Sequence, residues 1–189
     1  MSKDRKQIIL QSLAKLLEER DSTKVTTASL AKESGITEAA LYRHFPSKRS
    51  IFLELFTFCD ETIFHKVGEI KKEGIGSDEK IRLIFFFFVI FLEKNKGFAR
   101  ILSREALGPN EKNVIDAVNQ FYERLELSMK QILTSHKENL QLTPGISSHL
   151  ITSIMEGIIS RFIRNGFKEM TSGYIENYWS LLSRSLFKN

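Results

Sequence analysis

The side chains best suited to specific molecular contacts stand close together between residues 37 and 44. They are Thr37, Ala39, Ala40, Tyr42, Arg43 and His44. An arginine guanidinium fits the edge of a guanine or a phosphate, hydroxyl and imidazole groups can donate to phosphate oxygens, and alanine methyl groups fit against thymine methyl groups. On a short helix, few of these side chains would clash with the wall of a DNA groove. The set therefore indicates binding to a DNA duplex.

No pattern typical of an enzyme site accompanies this set. The sequence lacks a glycine-rich phosphate loop, a cluster of metal ligands and a nucleophile motif, and His65, His136 and His149 stand singly, which favours structural roles. We therefore expect no enzymatic activity, no metal and no cofactor. The single cysteine, Cys59, excludes an internal disulfide and is expected to be a buried apolar residue in a reducing compartment.

Length and composition favour a globular protein of the cytoplasm. The chain has 189 residues, 42% of them hydrophobic, which is enough for one sizeable core or for a small domain joined to a larger one. The most apolar run, residues 81–92, contains Arg82 and is shorter than the roughly 20 residues that cross a bilayer. Residues 1–7 are charged, and no apolar stretch of the signal-peptide type follows them.

The positive charge is concentrated at the N-terminal end. The net charge is +5, and residues 1–50 hold ten lysines and arginines against six acidic residues, whereas the remainder of the chain holds eighteen against seventeen. This asymmetry favours a polyanionic partner for the N-terminal end. A solvated basic face without a partner remains the alternative.

Apolar residues recur at helical spacing, and no segment shows the alternation of a strand, so we expect an all-α fold. Ile9, Leu13, Leu16 and Leu17, for example, form one apolar stripe on the first helix. The expected helices span residues 4–20, 27–34, 37–44, 48–71, 78–94, 98–107, 110–137, 147–167 and 172–187. A flexible break at residues 74–77 separates the fourth helix from the fifth.

The second and third helices have the physical requirements of a helix-turn-helix. Thr27 and Thr37 are expected to cap them, and Gly35 supplies the positive φ of the turn. Leu30, Ile36 and Leu41 are expected to meet beneath the turn as a small core, and Pro46 with Ser47 ends one helix and caps the next. On spacing alone, an ordinary pair of short helices is an open alternative.

The segment from Leu41 to Lys48, Leu-Tyr-Arg-His-Phe-Pro-Ser-Lys, together with the preceding Leu-Ala-Lys-Glu-Ser-Gly-Ile-Thr, resembles the TetR family of regulators. The resemblance implies a TetR-like all-α fold, with a three-helix, homeodomain-like DNA-binding head in residues 1–48. Residues 49–189 would form a helical-bundle body for dimerisation and regulation. Two heads of a homodimer would then bind successive major grooves of palindromic double-stranded DNA.

The resemblance also assigns roles to individual residues at the duplex. Arg43 is expected to contact a base edge or a phosphate. Thr27 and Lys48 are expected to bind phosphate at helix starts, and a merely solvated role is the alternative for Lys48 and Arg49. For His44, packing inside the head is an equal alternative. The predicted DNA-binding residues are Thr26, Thr27, Thr37, Ala39, Ala40, Tyr42, Arg43, His44 and Lys48.

Other segments, including Phe121-Tyr-Glu-Arg-Leu-Glu and Glu156-Gly-Ile-Ile-Ser-Arg-Phe-Ile-Arg, resemble the nucleoid occlusion factors within this family. That resemblance implies a nucleoid-associated protein that binds scattered chromosomal palindromes and antagonises the tubulin-like division GTPase FtsZ. The GTPase tail would dock between the fourth and fifth helices, against Phe58, Lys66, Phe87, Ile90 and Lys94. A ligand-responsive repressor of the same family is the alternative, although the sequence shows no cluster of polar groups that marks a ligand pocket.

Two further patterns concern the body. The four phenylalanines at residues 85–88 point around the whole circumference of one helix. At least one of them must therefore face away from the core unless another helix covers it, and a fully buried helix is the default expectation. Apolar residues at three-four spacing on two long helices indicate either core or a dimer seam, and the resemblance favours the seam. Its predicted residues are Val118, Phe121, Leu125, Ile151, Ile154, Ile158 and Phe162.

Overall fold

The computed structural model describes residues 2–19, 25–108, 111–168 and 171–188, and within these ranges the chain is all-α with no strand. The helices are α1 (Ser2–Glu18), α2 (Thr27–Glu33), α3 (Glu38–His44), α4 (Lys48–Lys72), α5 (Ser77–Lys94), α6 (Lys96–Leu102), α7 (Lys112–Thr134), α8 (Pro144–Arg164) and α9 (Ile175–Leu186). The predicted fold class is confirmed. None of the described helices is long and apolar enough to span a bilayer.

Most predicted helix ends lie within three residues of the observed ones, and the differences at α6 and α8 have local causes. Helix α6 ends at Leu102 rather than at residue 107, because residues 103–106 form a turn in which Arg104 adopts a φ of 64°. Helix α8 begins at Pro144, since the Thr143 side chain already accepts from the Ile146 N–H. The predicted helix ends at residues 20 and 110 lie outside the described residues.

Contacts divide the chain into two compact units, at points other than the predicted boundary at residue 48. The head unit comprises residues 1–60 and 95–119, and the body unit comprises residues 61–94 and 120–189. Helix α4 begins at Lys48 and continues unbroken past residue 60, and α6 packs on α1, so the head unit takes in the first part of α4 and the whole of α6.

In the head unit, α1 buries its predicted stripe against α6. Ile9, Leu13 and Leu17 are buried, whereas Leu16 is partly exposed. Helix α6 is buried along most of its length, and its backbone approaches α1 so closely that a Cβ atom on Gly97 would stand 2.6 Å from the Ala14 carbonyl oxygen. Because that distance is well inside van der Waals contact, glycine at residue 97 is what allows the two helices to meet.

In the body unit, aromatic rings fill the space between α4, α5 and α7. The Phe121 ring lies 5.4 Å from the Phe64 ring and 6.2 Å from the Phe88 ring, centroid to centroid. Phe85 and Phe88 are buried, but Phe86 and Phe87 are partly exposed, so the default of a fully buried α5 is wrong. Two phenylalanines of the run of four therefore do not belong to the core.

Cys59, on α4 within the head unit, is buried as expected. Burial raises the pKa of its thiol to about 12, because the thiolate is poorly solvated there, and the negative charge of Asp60 adds to the effect. The thiol is therefore protonated and poorly reactive at neutral pH.

The two apolar stripes assigned to the dimer seam lie largely inside a single chain. Six of the seven predicted residues are buried, namely Val118, Phe121, Leu125, Ile151, Ile158 and Phe162, and only Ile154 is partly exposed. A side chain that its own subunit already covers has no surface left for a second copy. The six buried positions thus belong to the core, which was the alternative that the spacing left open, and the position of the dimer seam stays a prediction.

Candidate nucleic-acid interface

The first helix of the helix-turn-helix begins at Thr27, and its cap is Thr26 instead of the expected Thr27. Thr26 has extended backbone angles, φ −102° and ψ 160°. Its hydroxyl oxygen accepts from the Ser29 N–H at 3.0 Å, and the Ser29 hydroxyl oxygen accepts from the Thr26 N–H at the same distance. This reciprocal capping box fixes the start of α2 and leaves Thr27 in its first turn.

The turn between α2 and α3 follows the Schellman pattern. Gly35 has a φ of 65°, as the sequence predicted, and its N–H donates to the Lys32 carbonyl oxygen at 3.1 Å. The Ile36 N–H donates to the Ala31 carbonyl oxygen at 3.0 Å. These two bonds satisfy the last carbonyl groups of α2 and reverse the chain within a few residues.

Helix α3 is capped by Thr37, whose hydroxyl oxygen accepts from the Ala40 N–H at 3.2 Å, as predicted. It is anchored by Leu41, which is buried together with Leu30, while Ile36 is only partly covered. Phe45, directly after the helix, is also buried. The inward positions of α3 are thus fixed by the head core, and every other position is available at the surface.

The outward face of α3 carries the side chains that the sequence predicted for DNA contact. Thr37, Ala39, Tyr42 and Arg43 are exposed, whereas Ala40 and His44 are partly buried. Within the described residues, the Arg43 guanidinium makes no hydrogen bond and no ion pair, so its five donors are available to a ligand. The partial burial of His44 leaves open both packing and DNA contact.

Lys6 and Ser47 make contacts around the segment that joins α3 to α4. The Lys6 ammonium lies 4.9 Å from the centroid of the Phe45 ring and 3.3 Å from the Glu54 carboxylate. Ser47 and Ser50 exchange backbone-to-hydroxyl hydrogen bonds of 3.1 and 3.2 Å, which confirms Ser47 as the cap of α4. Lys6 thus links α1 to Phe45 and to α4, and the two serines fix where α4 begins.

Lys48, predicted to bind phosphate, has an intramolecular partner that the sequence analysis missed. Its ammonium lies 3.4 Å from the Glu111 carboxylate. Glu111 also accepts from the Gly108 N–H at 2.8 Å and is buried. Because Glu111 follows a different helix far along the chain, no local pattern marks it as a partner of Lys48.

The residues predicted to bind the division GTPase lie on α4 and α5. Phe58, in the head unit, is 65% exposed. In the body unit, Phe87, Ile90 and Lys94 follow three-four spacing and therefore share one face of α5. Ile90 and Lys94 are exposed on that face, and Phe87 is partly covered by the Phe91 ring at 5.6 Å.

Lys66, the fifth predicted residue, donates to the Glu69 carboxylate at 3.0 Å. This hydrogen bond, together with the charge of the lysine, holds the pKa of Glu69 below its ordinary value. Both side chains are exposed enough to solvent that the pair can separate at little cost. Lys66 is thus accessible to a partner.

Two family profiles match the chain. One, described as bacterial regulatory proteins of the tetR family, matches residues 9–55, and the other, the SlmA-like, tetracyclin repressor-like C-terminal domain, matches residues 77–187. The chain belongs to the TetR family, in its SlmA-like branch. The first match contains the whole helix-turn-helix described above.

Similarity to individual members of the branch extends over nearly the whole chain. The nucleoid occlusion factor SlmA of Vibrio cholerae is 37% identical over 188 residues, which is 97% of this chain and 96% of that protein. The nucleoid occlusion factor SlmA of Pectobacterium carotovorum is 34% identical with the same coverage.

Solved structures of more distant TetR-family regulators share the fold. NalD of Pseudomonas aeruginosa, the secondary repressor of a multidrug efflux pump, superposes with a TM-score of 0.81 at 18% identity, covering 100% of this chain and 98% of that one. FadR of Bacillus subtilis in complex with stearoyl-CoA gives 0.77 at 16% identity, covering 95% and 98%. At these identities the likeness concerns the fold.

Proposed function

We propose that the chain is a sequence-specific DNA-binding protein and that α3 is its recognition helix. The observation that carries this proposal is the outward face of α3, on which Arg43 has no partner among the described residues while Leu41 is fixed in the core. The helix is short and its alanines are small, so it fits a major groove. Thr26, Thr27 and Thr37, at the starts of α2 and α3, would position the head on phosphates.

We infer further that the protein acts as a nucleoid occlusion factor, bound to chromosomal palindromes in the cytoplasm and inhibiting FtsZ-dependent septum formation over the nucleoid. The relatives that carry this name match nearly the full length of the chain. The exposed Ile90 and Lys94, with the neighbouring Phe87, would bind the tail of the GTPase. The protein would act by binding and not as an enzyme.

A homodimer would place one head at each half of a palindrome. We propose that its seam uses the outward faces of α8 and α9, the last two long helices. Ile146 at the start of α8 is 55% exposed and Leu181 on α9 is 67% exposed, with Ile154 and Tyr178 partly exposed on the same helices. Both helices pack on α5, and exposed apolar side chains on such helices are typical of an uncovered protein interface.

Mapping of occupied sites across the chromosome tests the function as a whole. Many scattered palindromes would agree with nucleoid occlusion. A single occupied site beside a transporter or enzyme operon would instead favour the ligand-responsive repressor.

Substitutions on α5 test the partner surface separately from DNA binding. We expect Lys94→Glu to abolish the inhibition of FtsZ polymers by the DNA-bound protein, and we expect the same of Phe87→Ala as a second variant. Sedimentation of the polymers measures this inhibition. Duplex binding should remain unchanged. Lys72→Ala, an exposed lysine at the end of α4, is the matched control. Full activity of both α5 variants on FtsZ would overturn the assignment of this surface.

A further inference from the structure

The carboxylate of Glu111 forms an ion pair with the Lys48 ammonium at the start of α4. This ammonium is the group that would contact DNA there. One oxygen lies 3.4 Å from the Lys48 ammonium, and the other accepts from the Gly108 N–H at 2.8 Å. The Glu111 side chain is only 7% exposed. Both oxygens of this carboxylate therefore have a partner within the protein.

The lysine itself is folded back along its own helix. Its ammonium stands 5.2 Å from the centroid of the Phe52 ring, which is fully buried, and the Lys48 side chain is about one-third exposed. An aromatic face and a carboxylate together compensate the charge of an ammonium group. A phosphate that approaches Lys48 must therefore displace an existing ion pair and gains less than it would from a free lysine.

Lys48 differs in this respect from the arginines around it. Within the described part of the chain, neither Arg43 nor Arg49 forms an ion pair, and both are exposed. Of these three neighbouring cations, Arg43 and Arg49 are thus uncompensated, whereas the charge of Lys48 is balanced by a carboxylate of the same chain. The difference between them is the presence of Glu111.

We propose that Glu111 is a positioning residue that acts through Lys48 and lowers the affinity of the head for DNA, because its carboxylate takes the place of a phosphate oxygen in the DNA-free protein. The inference rests on the proposed DNA-binding function of the head. Exchange of carboxylate for phosphate at Lys48 then accompanies binding. The ion pair between Lys48 and Glu111 keeps the affinity for DNA lower than the cations of the head would otherwise give.

Glu111→Gln is the direct test, since an amide oxygen still accepts from the Gly108 N–H while the negative charge is lost. Binding is measured on a random-sequence duplex, which requires phosphate contacts but no operator. We expect Glu111→Gln to bind about fivefold more tightly than the unsubstituted protein. Lys48→Ala should remove the whole gain in the Glu111→Gln background.

Asp116→Asn is the control for the loss of one negative charge, because Asp116 is exposed on α7 within the same compact unit. We expect it to change affinity far less than Glu111→Gln does. Thermal unfolding identifies any variant that fails to fold, and a Glu111→Asp variant, which keeps the charge, then serves for comparison. Weaker or unchanged binding by folded Glu111→Gln would overturn the proposal.

Labelling of the lysine reports on the ion pair without any DNA. Acetylation of Lys48 by an N-hydroxysuccinimide ester, followed by peptide mass spectrometry, should be several-fold faster in Glu111→Gln than in the unsubstituted protein, with Lys32 as the internal reference. Equal rates would overturn the proposal even if DNA binding stands. Failure of the unsubstituted protein to bind any duplex would instead contradict the proposed function and leave the labelling result to decide the role of Glu111.

Discussion

At the scale of single residues, the interface depends on which cations are available to a ligand. Arg43 and Arg49 are both exposed, but Arg43 lies on the outward face of α3 and Arg49 in the first turn of α4. A guanidinium in the major groove distinguishes bases, whereas one at a helix start contacts the phosphate backbone. The two arginines should therefore contribute to binding in different ways.

We predict that Arg43→Ala relaxes sequence preference and costs about 1–3 kcal/mol of binding free energy on the preferred palindrome, with much less loss on random duplex. Arg49→Ala, the matched control, should weaken binding to all sequences and lower the salt slope by about one. Fluorescence anisotropy with both duplexes over a range of salt concentrations measures the two effects. An equal loss on both duplexes for Arg43→Ala would place this residue at a phosphate.

At the scale of secondary-structure elements, the head depends on the close approach of α1 and α6. The added methyl group of Gly97→Ala would meet the Ala14 carbonyl oxygen at 2.6 Å, so we expect a loss of about 1–3 kcal/mol in the free energy of unfolding. Gly68→Ala, on α4 with no atom within 4 Å of the added carbon, should gain about 0.5–1 kcal/mol from helix propensity. Urea denaturation at one fixed protein concentration compares them, and a stabilised Gly97→Ala variant would contradict the observed packing.

At the scale of the whole molecule, DNA binding by two heads requires a dimer. Two heads of a helix-turn-helix dimer contact half-sites roughly 34 Å apart, so loss of the second subunit removes half of the contacts. The apolar side chains that remain exposed on α8 and α9 are candidates for the seam, whereas the buried stripes of α7 and α8 are not.

We predict that Leu181→Glu converts the dimer to a monomer and reduces affinity for a full palindrome to that for a half-site, because a charge at the centre of an apolar seam is costly to bury. Leu127→Glu, at a leucine of α7 that is 52% exposed, is the matched control and should remain dimeric. Sedimentation equilibrium measures the mass of each variant. If the Leu181→Glu variant remains a dimer, the dimer seam lies on another face of the protein.

The sequence by itself determined what depends on nearby residues. The helical periods, the Gly35 turn, the caps by Thr37 and Ser47 and the exposed set on α3 all follow from bonds between residues a few positions apart. Even the error at Thr27 was a shift of one residue, because two adjacent threonines offer the same capping group.

Only the tertiary structure decided which partner each surface meets. A stripe at three-four spacing is apolar whether its own subunit or a second copy covers it, so the burial of Phe121 and Ile151 followed from packing and not from periodicity. In the same way, the pairing of Lys48 with Glu111 joins the first residue of α4 to the residue just before α7, and neither residue carries a local mark of the other. Contacts between distant segments depend on how whole elements pack, which spacing along one chain does not specify.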